Sequence, residues 1–196
     1  MMRGMSLRAA ALVLSCCLAC GCIDHSPTKT FDMLDTRTGM TLGALIQPIA
    51  CVETGVYDPL VPDKQPTIIY LGPVEWDRMG NYSYLLWVQV APGEGGRRPN
   101  DLRRRDALRI LLDDGPLLLT ALDQPVKATS PYVPVIPVGQ TVYFPIDVAT
   151  LNRMAASKKL SLDVEAADLT RIELLARPDS LGALKRFIVE RNVNED

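Results

Sequence analysis

The alternation of apolar and polar side chains in the middle of the chain predicts β-strands. The clearest example is residues 82–91 (YSYLLWVQVA), where successive side chains would lie on opposite faces of a sheet. Both faces carry large apolar groups, which favours a strand in the interior of the sheet. A second strand is predicted at residues 67–71 (TIIYL), and the Gly- and Pro-containing residues 72–81 would form a turn-rich connection between the two.

Residues 108–122 (LRILLDDGPLLLTAL) predict a β-hairpin. Two apolar runs flank the sequence DDGP, in which Gly115 would adopt the positive φ of a tight turn and Pro116 would end the ladder of backbone hydrogen bonds. Asp113 and Asp114 also raise the hypotheses of a calcium loop and of a catalytic carboxylate pair. No further oxygen ligands follow at the spacing of a calcium loop, so we interpret the two aspartates as solvated turn residues.

Towards the C-terminus the pattern changes, and helices alternate with strands. An apolar stripe at helical spacing predicts a helix at residues 148–157 with Asp147 as its N-cap. A second helix is predicted at residues 181–190, capped by Asp179 or Ser180. Short strands are predicted at residues 141–145, 160–165 and 171–176.

Proline is concentrated in the middle of the chain. Of the 15 prolines, all but Pro27 and Pro178 lie in the region where strands and turns are predicted, because proline breaks helix interiors. Residues 130–137 (SPYVPVIP) would be a covering loop or an edge strand, with a strip that faces a partner as the alternative. We therefore expect residues 31–196 to form one mainly β, antiparallel, sandwich-like domain with two short α-helices in its C-terminal third.

Arginine is concentrated in residues 92–109 (PGEGGRRPNDLRRRDALR), between two predicted strands. We interpret this segment as a solvated loop that its own acidic residues partly neutralise. The alternative is a site for lipid headgroups, phosphates or an acidic partner, because guanidinium groups match phosphate in a bidentate manner. No aromatic residue is interleaved, which argues against a site for single-stranded nucleic acid. The candidate contact residues are Arg97, Arg98, Arg103, Arg104 and Arg105.

The first 22 residues (MMRGMSLRAAALVLSCCLACGC) have the pattern of a secretory signal. Arg3 and Arg8 are their only charges, and the apolar run at residues 9–19 is about half the length needed to cross a bilayer as a helix. The C-x-x-C-x-C spacing at the end of the run is also that of a metal or iron–sulfur ligand set. The basic and apolar segments that precede these cysteines favour the signal.

This segment resembles a bacterial lipoprotein signal peptide, in which small residues before a cysteine fit a signal peptidase after the thiol has been acylated. Residues 19–22 (ACGC) match with Cys22 as the lipidated residue, although the usual Leu three places before it is displaced by one, to Leu18. The sequence CLAC gives Cys20 as an alternative anchor, and a cleaved signal without lipid is a further alternative. The resemblance implies a signal peptide at residues 1–21 and an acyl-anchored mature protein.

The resemblance also implies a location. In this class, Asp directly after the lipidated Cys favours retention in the inner membrane, whereas here Ile23 follows Cys22 and Asp24 comes next. We therefore expect the periplasmic side of the outer membrane rather than the inner membrane. Residues 22–30 would form the lipid anchor and a short polar tether. The only histidine, His25, lies in this tether, where nothing would hold it as a general base.

Removal of the signal peptide changes the charge of the chain. It takes two arginines from the 21 basic residues and leaves 19 against 23 acidic ones, a net charge of −4. Such a protein has no global positive field for nucleic acid. Cys51 would be the one free cysteine and is predicted to be a buried small hydrophobic residue; with Cys20 as the anchor, Cys22 and Cys51 could form a disulfide.

Motifs of established catalytic chemistry are absent from the sequence, among them G-x-S-x-G, H-E-x-x-H, the P-loop and the dinucleotide fingerprint. We predict no enzyme, catalytic residue, metal or cofactor. We expect a membrane-anchored lipoprotein that acts as a non-enzymatic protein-interaction module, accessory to an envelope assembly or secretion machine. The alternative is a lipoprotein that binds a small anionic ligand or an envelope polymer, through the arginines or through an aromatic patch of Trp76, Trp87 and Tyr132.

The anchor predicts a specific covalent mass. Protein extracted from membranes should begin at Cys22 and carry acyl groups, since several chains are needed to hold a lipoprotein firmly on a bilayer. Intact-mass spectrometry measures this, and Cys22→Ser should lose the added mass whereas Cys51→Ser should keep it. An unmodified N-terminus downstream of Cys22 would contradict the prediction, and acylation of Cys20 would select the alternative anchor.

Overall fold

The structure is a computed structural model that describes residues 29–55, 65–93, 97–104, 108–124, 126–134 and 139–193. Within these ranges it contains a ten-stranded sheet and two helices. The elements are β1 (Thr30–Asp35), β2 (Met40–Leu45), β3 (Ile49–Glu53), β4 (Ile68–Arg78), β5 (Asn81–Ala91), β6 (Leu108–Leu112), β7 (Gly115–Leu118), β8 (Thr141–Ile146), α1 (Val148–Ala156), β9 (Ser161–Glu165), β10 (Arg171–Ala176) and α2 (Pro178–Glu190). All pairings between these strands are antiparallel. The predicted fold class is confirmed: mainly β and antiparallel, with two short helices in the C-terminal third.

Two successive strands share one edge of β4, the central strand. On its other edge, β5 pairs with β4 along the full length of both strands, and β8 follows β5. Ala44 of β2 lies opposite Val74, and Ile49 of β3 lies opposite Leu71, so two extra residues separate β2 from β3. β2 and β3 are therefore two halves of one long strand interrupted by a wide bulge.

The bulge divides the sheet into two arms. β1 pairs with β2, whereas β10 pairs with β3 and continues into β9, β6 and β7. Leu86 of β5 and Leu162 of β9 belong to one contiguous buried core although these strands do not pair. Leu151 of α1 and Phe187 of α2 belong to the same core. Strands that do not pair with each other thus share one apolar core with both helices, which gives the sandwich-like arrangement.

A smaller core lies on the opposite face of β4 and β5 and contains Tyr132. The Tyr132 ring packs on Trp87, with the ring centroids 4.8 Å apart. Its hydroxyl accepts a hydrogen bond from the Leu45 N–H and donates one to the Pro73 carbonyl, each at 3.2 Å. Because these backbone groups flank the bulge, the tyrosine supplies hydrogen bonds that the interrupted ladder lacks.

Residues 130–134 are the described part of the predicted covering loop, and they cover the sheet. Tyr132 is 3% exposed and Trp87 is 0% exposed. Trp76 packs against the same cluster and is partly buried. The expectation of an aromatic ligand-binding patch is therefore wrong, because two of its three rings lie in the core.

β4 is longer than the sequence predicts. It continues through the residues expected to form a turn, and the tight turn is confined to Met79 and Gly80, which both have positive φ. Pro73 is tolerated inside the strand because its backbone faces the bulge, where the Tyr132 hydroxyl takes the place of a neighbouring strand.

The predicted helices are both present, with one change at an N-terminus. Asp147 caps α1 as expected, and its side chain accepts a hydrogen bond from the Thr150 N–H at 2.7 Å. α2 begins at Pro178, earlier than predicted, and Arg177 is its N-cap in place of Asp179 or Ser180. The fixed φ of proline suits the first turn of a helix, which accounts for the earlier start.

The β6–β7 hairpin turns where the sequence predicts it. Gly115 has a φ of 127°, as a tight turn requires. Pro116 lies inside β7 instead of ending the ladder, and it pairs with Leu111. Since β7 pairs only with β6 among the described strands, the proline N has no ladder bond to lose on the outer edge.

The contact between Gly72 and Tyr132 gives a test of the smaller core. A Cβ at Gly72 would lie 2.3 Å from Tyr132 Cε2. Gly72→Ala should lower the free energy of unfolding by about 1–3 kcal/mol, the usual range for overpacking a core. In the control Gly182→Ala nothing lies within 4 Å of the new Cβ. That variant should be at least as stable as the parent, because alanine favours the helix over glycine by roughly 1 kcal/mol. Denaturant titration compares the two, and equal losses would contradict the prediction.

Candidate functional site

The arginine-rich segment lies against the end of β9 in its described part. Pro99 forms a β-bridge with Ala166, and the Asn100 N–H donates to the Glu165 carbonyl at 2.8 Å. Leu102 is buried in the main core. The segment is thus fixed at several points, and its arginines are presented from a supported backbone.

Arg97, which is partly exposed, forms an ion pair with a buried carboxylate. Its Nε donates to Glu53 Oε1 at 2.9 Å, and the Glu53 side chain has no exposed surface. The second oxygen, Glu53 Oε2, accepts the Thr67 N–H at 3.2 Å, and Arg97 also donates to the Arg171 carbonyl at 3.0 Å. Such a satisfied pair fastens the start of the arginine-rich segment to β3, because breaking it would leave a buried charge.

Arg103 and Arg104 lie together on an open groove of about 560 Å³. The Arg104 guanidinium lies 3.3 Å from Glu165 Oε1 and remains half exposed. Arg103 is exposed and also lines an adjoining pocket of about 130 Å³ that Tyr143 helps to form. The remaining groove residues are Leu118, Leu119, Thr120, Ala121 and Asp123.

The predicted contact residues therefore do not form one surface. Arg103 and Arg104 share the groove, Arg97 is bound to Glu53, and Arg98 is exposed with its carbonyl accepting the Ala167 N–H at 2.9 Å. Arg105 and the predicted lipidation site Cys22 lie outside the described residues.

The groove adjoins the outer edge of β7. Leu118, at the end of this strand, is 57% exposed and lines the groove together with Leu119 and Ala121, while Thr120 and Asp123 add polar groups to the lining. Among the described strands nothing pairs with this edge of β7, on which Pro116 offers no N–H, and Leu118 is the residue of β7 that lines the groove. An exposed strand edge is a template for an added strand.

A cluster of charged residues on the other arm is not predicted from the sequence. The register aligns Asp32, Gly43, Glu75 and Tyr84 in one row across β1, β2, β4 and β5. Arg191, which follows α2, lies over Gly43, where a Cβ would come within 2.3 Å of its Cζ. Only glycine leaves room for the guanidinium between the two carboxylates.

Arg191 joins the two carboxylates of this row. Its Nη1 lies 2.5 Å from Asp32 Oδ1 and 3.6 Å from Glu75 Oε1, and its Nη2 donates to the Phe31 carbonyl at 2.7 Å. Burial raises the pKa of Glu75, although Arg191 and a hydrogen bond from Tyr84 act in the opposite direction. Burial, together with the charge of Glu75, raises the pKa of Tyr84 to about 12. Glu75 Oε2 is buried without a hydrogen-bond partner.

Two further carboxylates hold neighbouring parts of the fold together. Asp35 binds the Thr38 hydroxyl and the Thr129 N–H, and these hydrogen bonds lower its pKa to about 2. Asp114 forms two hydrogen bonds with Arg153 of α1, at 2.8 and 3.1 Å, which lower its pKa. Asp113 and Asp114 are turn residues as predicted, but Asp114 is ion-paired rather than simply solvated.

The described residues offer little reactive chemistry. Cys51 is a free, fully buried thiol whose pKa is raised by burial, which confirms its prediction as a small hydrophobic residue. Across the described ranges, no three of His, Cys, Asp and Glu come together as a metal-ligand set. In the same ranges, no helix has both the length and the apolar character to cross a membrane.

No family model, curated protein or solved structure matches this chain.

Glu75 predicts a pH dependence of stability. Because its pKa is raised above the ordinary value of 4.5, the folded state holds this proton to higher pH than the unfolded chain does. Stability from this group is therefore lost as the pH rises from 4.5 through the folded-state pKa. Glu75→Gln mimics the protonated acid and does not titrate. The melting temperature of this variant minus that of the parent should therefore be larger at about pH 8 than at about pH 5.

The control for this prediction is Glu173→Gln, which removes a half-exposed carboxylate. Its melting temperature should follow that of the parent across the same pH range. If the melting temperatures of Glu75→Gln and the parent change in parallel with pH, the pKa of Glu75 is not raised in the folded state and the prediction is contradicted.

Proposed function

We propose that this protein is a bacterial lipoprotein, anchored through Cys22 on the periplasmic side of the envelope, on the outer rather than the inner membrane. We further propose that it is a non-enzymatic protein-interaction module, accessory to an envelope assembly or secretion machine. The signal-like pattern of residues 1–22 supports the anchor. The groove beside β7 supports the module.

The observation that carries the interaction module is the combination of a free strand edge with two arginines. The groove of about 560 Å³ has the volume of an ordinary binding pocket. Leu118, Leu119 and Ala121 supply its apolar lining, and Arg103 and Arg104 supply its cations. An extended, acidic segment of a partner protein would pair with the edge of β7 and place its carboxylates against the guanidinium groups.

A small anionic ligand or envelope polymer is the second candidate for the same groove. Arg103 supports it, because this residue lines both the large groove and the smaller pocket beside Tyr143. The two cations would then meet phosphate or carboxylate groups without a strand pairing with β7. Both candidates need the arginines, but only the first needs the strand edge.

The experiment is co-purification of the acylated protein from solubilised envelopes. The variant Arg103→Glu with Arg104→Glu should lose a stoichiometric protein partner, because the groove would repel acidic groups. Lys185→Glu with Arg186→Glu reverses the same number of charges on exposed positions of α2 and should keep the partner. Replacing Arg103, Arg104 and Arg105 together tests the second half of the predicted arginine site, and unchanged interactions would contradict it.

A second measurement separates the two candidates. If no partner co-purifies and inorganic phosphate raises the melting temperature of the parent but not of the Arg103/Arg104 variant, the groove binds anions. If the double variant keeps its partner and its phosphate response, both candidates for the groove are contradicted.

A further inference from the structure

The end of the β4–β5 hairpin is exposed and carries large apolar side chains. Residues 78–83 are all solvent-exposed. Met79, in the turn, is 98% exposed, and Tyr82, three residues later, is 60% exposed. Neither side chain contributes to a core, so their apolar character is not explained by folding.

The backbone at the turn makes methionine an unfavourable choice. Met79 has a φ of 55° and Gly80 a φ of 86°. Two successive residues with positive φ form the tight hairpin turn that asparagine, aspartate and glycine occupy most readily. A fully exposed methionine in the left-handed region therefore has neither a conformational nor a packing advantage, which points to a contact with another body.

The register adds a third exposed apolar residue to the same end of the sheet. Leu34 of β1 lies opposite Thr41, Thr41 lies opposite Asp77, and Asp77 lies opposite Tyr82. Directly paired residues share a face, so Leu34, 65% exposed, lies on the same face as Tyr82. We call Leu34, Met79 and Tyr82 the apolar hairpin end.

Two exposed arginines accompany the apolar hairpin end. Arg78 immediately precedes the β4–β5 turn, and Arg37 lies in the β1–β2 turn. Because Thr41, just after the β1–β2 turn, pairs with Asp77, just before the β4–β5 turn, the two turns lie at the same end of the sheet. Partly buried Trp76 lies on the opposite face of β4 from Tyr82. Tryptophan, tyrosine and arginine around an apolar tip form the composition that suits a membrane–water interface.

Two polar backbone groups at the turn have side-chain partners within the hairpin. The Gly80 N–H donates to Asp77 Oδ1 at 2.7 Å, and Asn81 Nδ2 donates to the Arg78 carbonyl at 3.2 Å. Moving this turn out of water therefore leaves fewer unpaired polar groups than an ordinary turn would. The Asp77 carboxylate, two residues before Met79, limits such a contact to shallow insertion.

We infer that the apolar hairpin end inserts into the interfacial region of the bilayer that carries the Cys22 anchor. This inference rests on the proposed function for the identity of the membrane. The residues from Cys22 to Lys29 span at most about 25 Å when extended. From Thr30, β1 runs about 17 Å to the level of the hairpin end, so the tether is long enough to let this end reach the bilayer.

A bilayer fits the hairpin end better than a protein pocket does. Tyr82 and Leu34 lie exposed on one face and Met79 lies at the apex, whereas Trp76, on the other face, packs against the smaller core and is only partly exposed. Apolar side chains that project from an apex and from the adjacent face can both be immersed in a fluid interface, whereas a rigid protein pocket would have to match their spacing.

The test places an environment-sensitive fluorophore at Met79→Cys in the full-length acylated protein, reconstituted into phosphatidylethanolamine–phosphatidylglycerol vesicles. Cys51 is buried and so should not react. The expected result is a blue shift of the emission and quenching by lipids that carry a nitroxide near the headgroup. The same label in a chain that also has Tyr82→Glu should show neither.

Leu169→Cys is the matched control. Leu169 is also exposed, at 70%, and has a positive φ of 66°. It precedes β10, which pairs with β3. β3 in turn pairs with the first residues of β4, at the end of that strand far from the β4–β5 turn. A label there should show neither blue shift nor quenching.

The outcomes separate this inference from the proposed function. Acylation measured by mass with no spectral change at residue 79 overturns the hairpin contact and leaves the anchor in place. An unacylated chain whose residue 79 label is quenched by lipid overturns the anchor and keeps the hairpin contact. A blue shift that requires added envelope protein and no lipid quenching would assign this end to a protein partner and overturn the inference.

Discussion

The hydroxyl of Tyr132 holds the sheet together at the place where its ladder is interrupted. It bridges the backbone of β2 and β4 between Leu45 and Pro73, across the bulge from which the two arms of the sheet diverge. The bulge separates β2, which pairs with β1, from β3, which pairs with β10. The positions of β1 and of the strands from β10 to β7 therefore depend on the geometry of the bulge. Gly72 beneath the ring and Trp87 beside it make this position specific for a planar aromatic side chain with a hydroxyl.

The two proposed contact regions belong to different arms of the divided sheet. The groove with Arg103 and Arg104 lies beside β7, at the end of the arm that begins with β10. The apolar hairpin end lies beside β1 and β2, on the other arm. A rigid centre between them would allow a lipid-facing contact and a partner-facing contact to be made by one molecule.

Local pattern was sufficient for the elements whose signals are local. The alternation in β5, the capping of α1 by Asp147 and the turn at Gly115 all depend on neighbouring residues, and these predictions are confirmed. β1 to β3 were not predicted, and between β2 and β3 the bulge interrupts the alternation that would have marked a single strand. The predicted strand ended at residue 71 because Gly72 and Pro73 were interpreted as turn residues. Tyr132, which is distant in sequence, explains why these two residues remain in β4. The Arg191 row likewise depends on a pairing register that the sequence does not display.

The attachment of α2 to β1 determines how a pull on the chain before β1 would be distributed. Glu190 accepts hydrogen bonds from both the N–H and the hydroxyl of Thr30, and Arg191 binds the Phe31 carbonyl. Tension applied through residues 22–29 would therefore be shared between the β1–β2 ladder and the last turn of the final helix. The start of β1 and the end of α2 are thus linked, and β1 would separate from the sheet only after its contacts with the end of α2 had broken.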